Sequence, residues 1–414
     1  MKEMQNQKIN KKKKWMIYIG IAIVTVLLNV LAWNSTAFCD AYIAYIFPIW
    51  VNTYGRFTGI FPFSVGEWLI VVGVILVLAA IVLGVVTVVY VAIPVLQKRS
   101  RFELWDMVGR DKFLRYAKKF YAFFAWLVLI IAVVMTLNCS FLYHASTFSQ
   151  KYFGDNNRQY TIKEVMTLYN FVAQKCNELS GQVERDENGT IVFHGLNQKG
   201  EAVDMEEKAI EAMQQLGKNY PQLDGYYPRP KPMMFSDFMC QQYMCGYYFP
   251  FSMEANYNDV MYIMNKPATM CHELAHLRGY IFEDEANFIS YLACVSSDDI
   301  TFQYAGYLSV INYLINDLYS AKQTNPESYK EAWEEIQPIA ILEIVQEDNV
   351  FVTEEEWDRI NRKALVDTET VDEISDTFTD TALKVNGVSD GMLSYNRVVE
   401  LLLQYYDDMF YNEG

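Results

Sequence analysis

Three stretches of the chain show no alternation of apolar and polar positions: Trp15 to Trp33, Trp68 to Val95 and Phe120 to Leu142 are apolar all round. Each is uncharged over roughly 19 residues or more, about what a helix needs to cross ~30 Å of hydrocarbon with its backbone bonded internally. A buried core helix is the rival reading of such a run. For the first stretch a signal peptide is a second rival, because Lys11 to Lys14 form a basic leader. No small-x-small cleavage site follows it, however, and Trp15 and Trp33 stand at its two ends as interfacial residues do. All three are therefore read as membrane spans.

Beyond residue 142 the pattern becomes that of a globular domain. Thr161 followed by Glu164 is a capping box, and the apolar period after it predicts a helix that Gly181 ends. A second helix is expected over about 204–216. Between them, the turn DENG at 186–189 leads into TIVFHG, expected as a short strand, and the three prolines of 225–232 predict a loop. GYYFPFSMEANY at 246–257 favours extended structure, with Pro250 confining it to an edge strand or a bulge. Helices are expected to dominate from there to the end. The expected organisation is a tail (1–14), a three-span anchor (15–142) and a domain (143–414) that is α+β, mostly α.

Charge sharpens this division. The chain of 414 residues is 52% hydrophobic and carries a formal net charge of −16, which disfavours binding to nucleic acid. Residues 1–119 hold 15 Lys/Arg against 6 Asp/Glu, whereas residues 120–414 hold 19 against 44. Six lysines precede the first span, the segment 34–67 has only Arg56, and 97–119 has eight Lys/Arg. By the positive-inside rule the N-terminus and the second connection are cytoplasmic, and the acidic domain is extracytoplasmic. The segment 34–67, apolar and aromatic, is expected on the outer membrane surface or folded against the large domain. Seven cysteines show no paired short spacing of a cysteine zinc site, although Cys240 and Cys245 could pair in an oxidising compartment.

The chemistry is concentrated at Cys271-His272-Glu273-Leu274-Ala275-His276. Residues four apart share a helix face, so His272 and His276 can hold one Zn²⁺ while Glu273 points beside it at a water. Zinc lowers the pKa of bound water to about 7, and the neighbouring carboxylate can then take its proton and pass it to a leaving amine. Pro267 suits the first turn of such a helix and Gly279 its end. The chain has only four histidines, so this arrangement arises by chance on the order of a fraction of a per cent of the time. A structural zinc would more typically have four protein ligands.

A third ligand is sought in Glu283-Asp284-Glu285-Ala286-Asn287, the start of a second helix marked by Phe288, Tyr291, Leu292 and Val295. Glu283 and Asn287 share a face, so Glu283 could bind zinc while Asn287 orients a ligand histidine. Glu285 is the alternative ligand. Arg278, Tyr304, Tyr307 and Tyr395 are candidates to stabilise an oxyanion, and 246–256 is a candidate edge strand for an extended peptide. His144 and His194 are expected to be ordinary surface or satisfied histidines.

The H-E-x-x-H followed by a helical E-x-x-x-N resembles the gluzincin metallopeptidases, and EDEAN is similar to the E-x-x-A-D of membrane-bound CAAX-type prenyl proteases. The wider pattern resembles a bacterial membrane family catalogued as domain of unknown function 3810. That pattern comprises GYYFPFSMEAN at 246–256, HELAHLRGYIFEDEANFISYLAC at 272–294 and SYNRVVELLL at 394–403, after three spans. The resemblance implies a zincin-like (gluzincin) domain with His272, His276 and Glu283 as ligands and Glu273 as base. Only six residues separate His276 from Glu283, fewer than in thermolysin, and Asn287 stands where Asp is usual. A metzincin would need its third histidine at Phe282. A deformylase-like site with Cys240 or Cys245 as ligand would fit a cytoplasmic domain instead.

The expectation is a multi-pass membrane-anchored zinc metallopeptidase that hydrolyses peptide or protein substrates through a zinc-activated water, with Glu273 as general base. The bilayer is its second partner. The alternative is a non-catalytic membrane sensor or interaction protein with a structural zinc site.

Overall fold

The computed structural model describes residues 2–96, 104–154, 158–386 and 397–411. The chain is mostly helical and divides into two compact units, Met1–Asn34 with Val65–Phe141, and Ser35–Ser64 with Leu142–Gly414.

The first unit is built from helices α1 (Lys2–Asn34), α2 (Val65–Leu96) and α3 (Leu104–Met135). Trp15–Asn34, Val65–Val89 and Lys112–Tyr143 are long and apolar enough to cross a membrane, and hardly any of their residues are buried within the protein. That much apolar surface belongs in hydrocarbon, consistent with a multi-pass membrane protein. Two of the helices are tied by a polar contact: Asn29 Nδ2 donates to Thr136 Oγ1 at 2.8 Å and Ser140 Oγ donates to Asn29 Oδ1 at 2.8 Å. The Tyr121 hydroxyl likewise donates to Ala80 O, joining α3 to α2 at 2.7 Å. Such bonds contribute on the order of 1 kcal/mol each in a bilayer.

The second unit is discontinuous: residues 35–64 pack with the C-terminal part of the chain, one of the two placements the sequence leaves open for that segment. They form short helices Thr36–Tyr45, Phe47–Trp50 and Arg56–Thr58 with a π turn at Val51–Gly55. Cys39, Ile43, Phe47, Val51 and Gly55 recur every fourth residue and are buried. Gly55 permits close approach, since a Cβ there would lie 3.3 Å from Met253 O. Thr58 Oγ1 donates to Ser252 O at 2.8 Å. The tightest link is Lys231, whose buried ammonium donates to Glu254 Oε1 (2.6 Å), Thr58 O (2.8 Å) and Phe63 O (3.0 Å).

The rest of this unit is a helical core. Helix α4 (Ile162–Ser180) carries the capping box, with Thr161 accepting from the Glu164 amide and Gly181 closing its end. Helix α5 (Met205–Gly217) is capped by Asp204, which accepts from the Glu207 amide. Helices α6 (Lys266–His276), α7 (Glu283–Val295) and α8 (Ile300–Thr324) pack on one another, with α4 against α8 and α5 against α6. Helix α9 (Val398–Tyr411) lies against α7 and α8. Phe288, Tyr291, Phe302 and Tyr304 are fully buried between these helices.

Strand is scarce. β1 (Gly195–Leu196) pairs antiparallel with β2 (Ala202–Val203). A second sheet has the order β3-β5-β4, from β3 (Lys231–Pro232), β4 (Gly246–Phe249) and β5 (Glu254–Tyr257). Of the run 190–195, expected as a short strand, Ile191 makes an isolated bridge with Arg185 and Gly195 opens β1, with no continuous strand between them. The Asp186 side chain accepts from the Asn188 and Thr190 amides and closes a tight turn just before the run. Conversely, the proline-rich 225–232 ends in strand β3, parallel to β5. Pro232 is tolerated because β3 is an edge strand, where a missing N–H costs no ladder bond. Pro250 sits in the turn between β4 and β5, so β4 is the edge strand that its position suggested.

Candidate metal centre

Helix α6 carries Pro267 in its first turn and ends after His276, where Gly279 takes a φ of +86°. That left-handed residue is the reason the chain can reverse within a few positions and start α7 at Glu283. No Cβ is tolerated at Gly279 in any case, because it would lie 2.7 Å from Ile43 Cγ2. The reversal brings one ligand-type atom each from His272, His276 and Glu283 within 4.8 Å of one another.

Hydrogen bonds fix the two imidazoles. His276 Nδ1 donates to Tyr280 O at 2.7 Å, a carbonyl that can only accept. His272 Nδ1 donates to Asn287 Oδ1 at 2.8 Å, and Asn287 is held in that orientation by donating through Nδ2 to the Tyr313 hydroxyl at 3.1 Å. Both Nε2 atoms therefore turn lone pairs inward. They lie 3.0 Å apart, and the Glu283 carboxylate is 3.0 Å from His272 Nε2 and 3.8 Å from His276 Nε2. Three electron-rich groups converging in a buried place repel one another unless a cation lies among them. The donor set, two neutral imidazoles and a carboxylate, suits Zn²⁺.

The electrostatics follow the same logic. Burial disfavours charge on each group, pushing Glu273 up to about 8 and His276 down to about 4. In place of a metal cation, a proton on His272 Nε2 would face the Glu283 carboxylate: burial opposes that charge, but the hydrogen bond and negative charge of Glu283 together outweigh it and lift the imidazole to about 9. Burial is the largest single influence on Glu283 and pushes it up, but the bond to His272 and the charges of His272 and His276 together outweigh it and hold Glu283 below the usual carboxylate range.

Glu273 lies next to this cluster under the edge strand. Cys245 O accepts from the Asn258 amide at 2.7 Å, so positions 245, 247 and 249 bond toward β5, and 246 and 248 turn their backbone groups away from it. The Tyr248 amide donates to the Glu273 carboxylate. Gly246 is what lets the side chain come so close, since a Cβ there would lie 2.4 Å from Glu273 Oε1. The second oxygen, Oε2, is buried and has no hydrogen-bond partner among the described residues.

The other sequence candidates go elsewhere. Glu285 accepts from the Ser149 hydroxyl (2.6 Å) and amide (3.0 Å). Arg278 is buried, donates to Tyr226 O at 2.7 Å and stacks over the Tyr227 ring. Tyr304 donates to Asp348 Oδ2 at 2.8 Å, and Tyr307 packs on Phe171 and Tyr291. Tyr395 lies outside the described residues, as does the start of 394–403. His194 is exposed beside Glu184, and Cys240 bonds to Asn258. Tyr313 and Gly246 do not stand out in the sequence: one is a tyrosine among 30, the other a glycine among 20.

No curated protein and no solved structure matches the chain. A profile of the family described as protein of unknown function (DUF3810) matches residues 42–403, from within the segment before the second span to the last helix. With that match over most of its length, the chain belongs to the DUF3810 family.

Proposed function

We propose that this chain is a membrane-anchored metallopeptidase of zincin (gluzincin) type, with His272, His276 and Glu283 as zinc ligands and Glu273 as general base. The observation that carries the reading is the convergence of two Nε2 lone pairs and a carboxylate, with a partnerless buried carboxylate oxygen beside them. Zinc, when bound there, supplies Lewis acidity and lowers the pKa of water to about 7.

The protein's own groups do the rest. Glu273 Oε2 accepts a proton from the attacking water and returns it to the amide nitrogen as the C–N bond breaks. The Tyr248 amide and the space at Gly246 hold that carboxylate against β4. The outward backbone groups of β4 other than the Tyr248 amide, which Glu273 engages, offer an extended peptide an edge to pair with. The charge asymmetry along the chain supports an extracytoplasmic side for this unit.

The test is metal analysis of the full-length protein together with cleavage of casein or a peptide library. One zinc per chain and chelator-sensitive cleavage are expected; a protein that takes up no zinc, or one whose cleavage survives His272→Ala, overturns the reading. Asn287→Ala removes the acceptor that orients His272 and is expected to weaken zinc binding roughly 10–100-fold, measured by competition with a chromogenic chelator.

A further inference from the structure

We propose that the outward face of residues 45–63 is seated in the lipid interface of the membrane, as a platform on which the C-terminal unit rests. These residues belong to a segment, 35–64, that starts where the apolar helix Trp15–Asn34 ends and stops where Val65–Val89 begins. Two consecutive spans leave their connection on a single side of the bilayer, so both ends of the segment are held at the same lipid surface. Its inward stripe is buried in the C-terminal unit, and Tyr45, Ile49, Trp50, Phe57, Ile60 and Phe63 are exposed on the outside. Tyr45 and Ile60 are the most open, at 76% and 75%.

An aromatic and aliphatic face of this kind is costly in water and suited to the boundary between headgroups and acyl chains. Tryptophan and tyrosine are enriched at that depth. The charges of the segment do not oppose it. Only Asp40 and Arg56 are charged in residues 35–64. Asp40 binds Ser146 and Lys151, and Arg56 stacks 3.7 Å above the Tyr226 ring, so both are engaged by the C-terminal unit itself. The same connection touches the metal centre's scaffold just before the platform, because Ile43 packs under Gly279 in the turn between His276 and Glu283. The inference does not depend on any catalytic role.

The experiment uses the full chain in vesicles of phosphatidylethanolamine and phosphatidylglycerol. Nitroxides are placed singly at Ile49→Cys, Phe57→Cys and Ile60→Cys, with Lys218→Cys on the exposed surface as the reference. Six of the native thiols are buried and Cys245 is half-buried, so background labelling is low. Power saturation is expected to give a several-fold higher ratio of oxygen to water-soluble nickel relaxation at the three platform sites than at 218. As a check without substitutions, the native protein is photolabelled from a carbene-generating phospholipid, with adducts expected inside 45–63. Nickel access equal to that at 218 overturns the proposal, and so does the absence of lipid adducts in 45–63 when 65–89 is labelled. Spin–spin broadening that disappears on dilution with unlabelled protein overturns it too, since a second copy would then cover the face.

Discussion

Glu273→Gln is expected to lower the rate of peptide cleavage by about 10²–10⁴-fold, the contribution of a positioned general base, while zinc remains bound. The amide keeps the shape of the side chain and can still accept from the Tyr248 amide. What it loses is the basic oxygen at Oε2, which no group among the described residues satisfies. The proposed ligands His272, His276 and Glu283 are untouched, so metal content reads the site and turnover reads the base. A centre that only held α6 and α7 together would tolerate the change. Unaltered cleavage by the glutamine variant would therefore refute the assigned role of Glu273. The same substitution removes a poorly solvated buried carboxylate, so the thermal midpoint in chelator is expected not to fall, as for groups kept for function at a cost in stability.

The largest expected effect on stability comes from Lys231→Met. Lys231 and Glu254 form a buried ion pair in which every polar atom is used. The ammonium makes its three donations, and Glu254 Oε2 accepts from the Ser252 hydroxyl at 2.6 Å. Removing the cation leaves a buried carboxylate uncompensated and takes a donor from the carbonyls of Thr58 and Phe63. Breaking such a pair typically costs about 3–5 kcal/mol, where an exposed ion pair contributes about 1 kcal/mol or less. Thermal unfolding of the full chain in detergent should show a fall of roughly 10 °C. Proteolysis within 35–64 should become faster, because the lost bonds hold that segment. The double variant Lys231→Met, Glu254→Leu is expected to recover much of the loss, as apolar replacement of a buried pair often does. A single variant as stable as the parent would show that the pair does not secure the segment.

Much of this arrangement can be read from residues alone, for identifiable reasons. The three spans are visible because hydrocarbon demands long uncharged runs, and α4 is visible because Thr161, Glu164 and Gly181 each satisfy a local requirement of a helix end. His272, Glu273 and His276 are legible because one helix turn brings them together. Glu283 and Glu285 cannot be separated by helical geometry so easily, as both lie in the first turn of α7. The difference is made by Ser149, more than 130 positions away, which binds Glu285. Gly246 and Tyr313 act through contacts of the same long-range kind. Residues 35–64 are ambiguous for another reason: an apolar, aromatic segment reads alike whether it faces lipid or protein, and this one has a face of each kind exposed or buried.

The discontinuous second unit sets an order of events during synthesis. Thr58 leaves the ribosome well before Lys231, its partner 173 positions downstream, and before Ser252, 194 positions downstream. Through that interval the carbonyls of Thr58 and Phe63 lack the ammonium that later holds them, and the long-range contacts that define the unit close late. A fragment cut at the end of the third span would never acquire them. It would emerge with Lys231 and Glu254 lacking the carbonyls of Thr58 and Phe63, and with Gly279 uncovered beside His276. The first connection between the spans is thus translated as part of the membrane region and folds as part of the domain that follows.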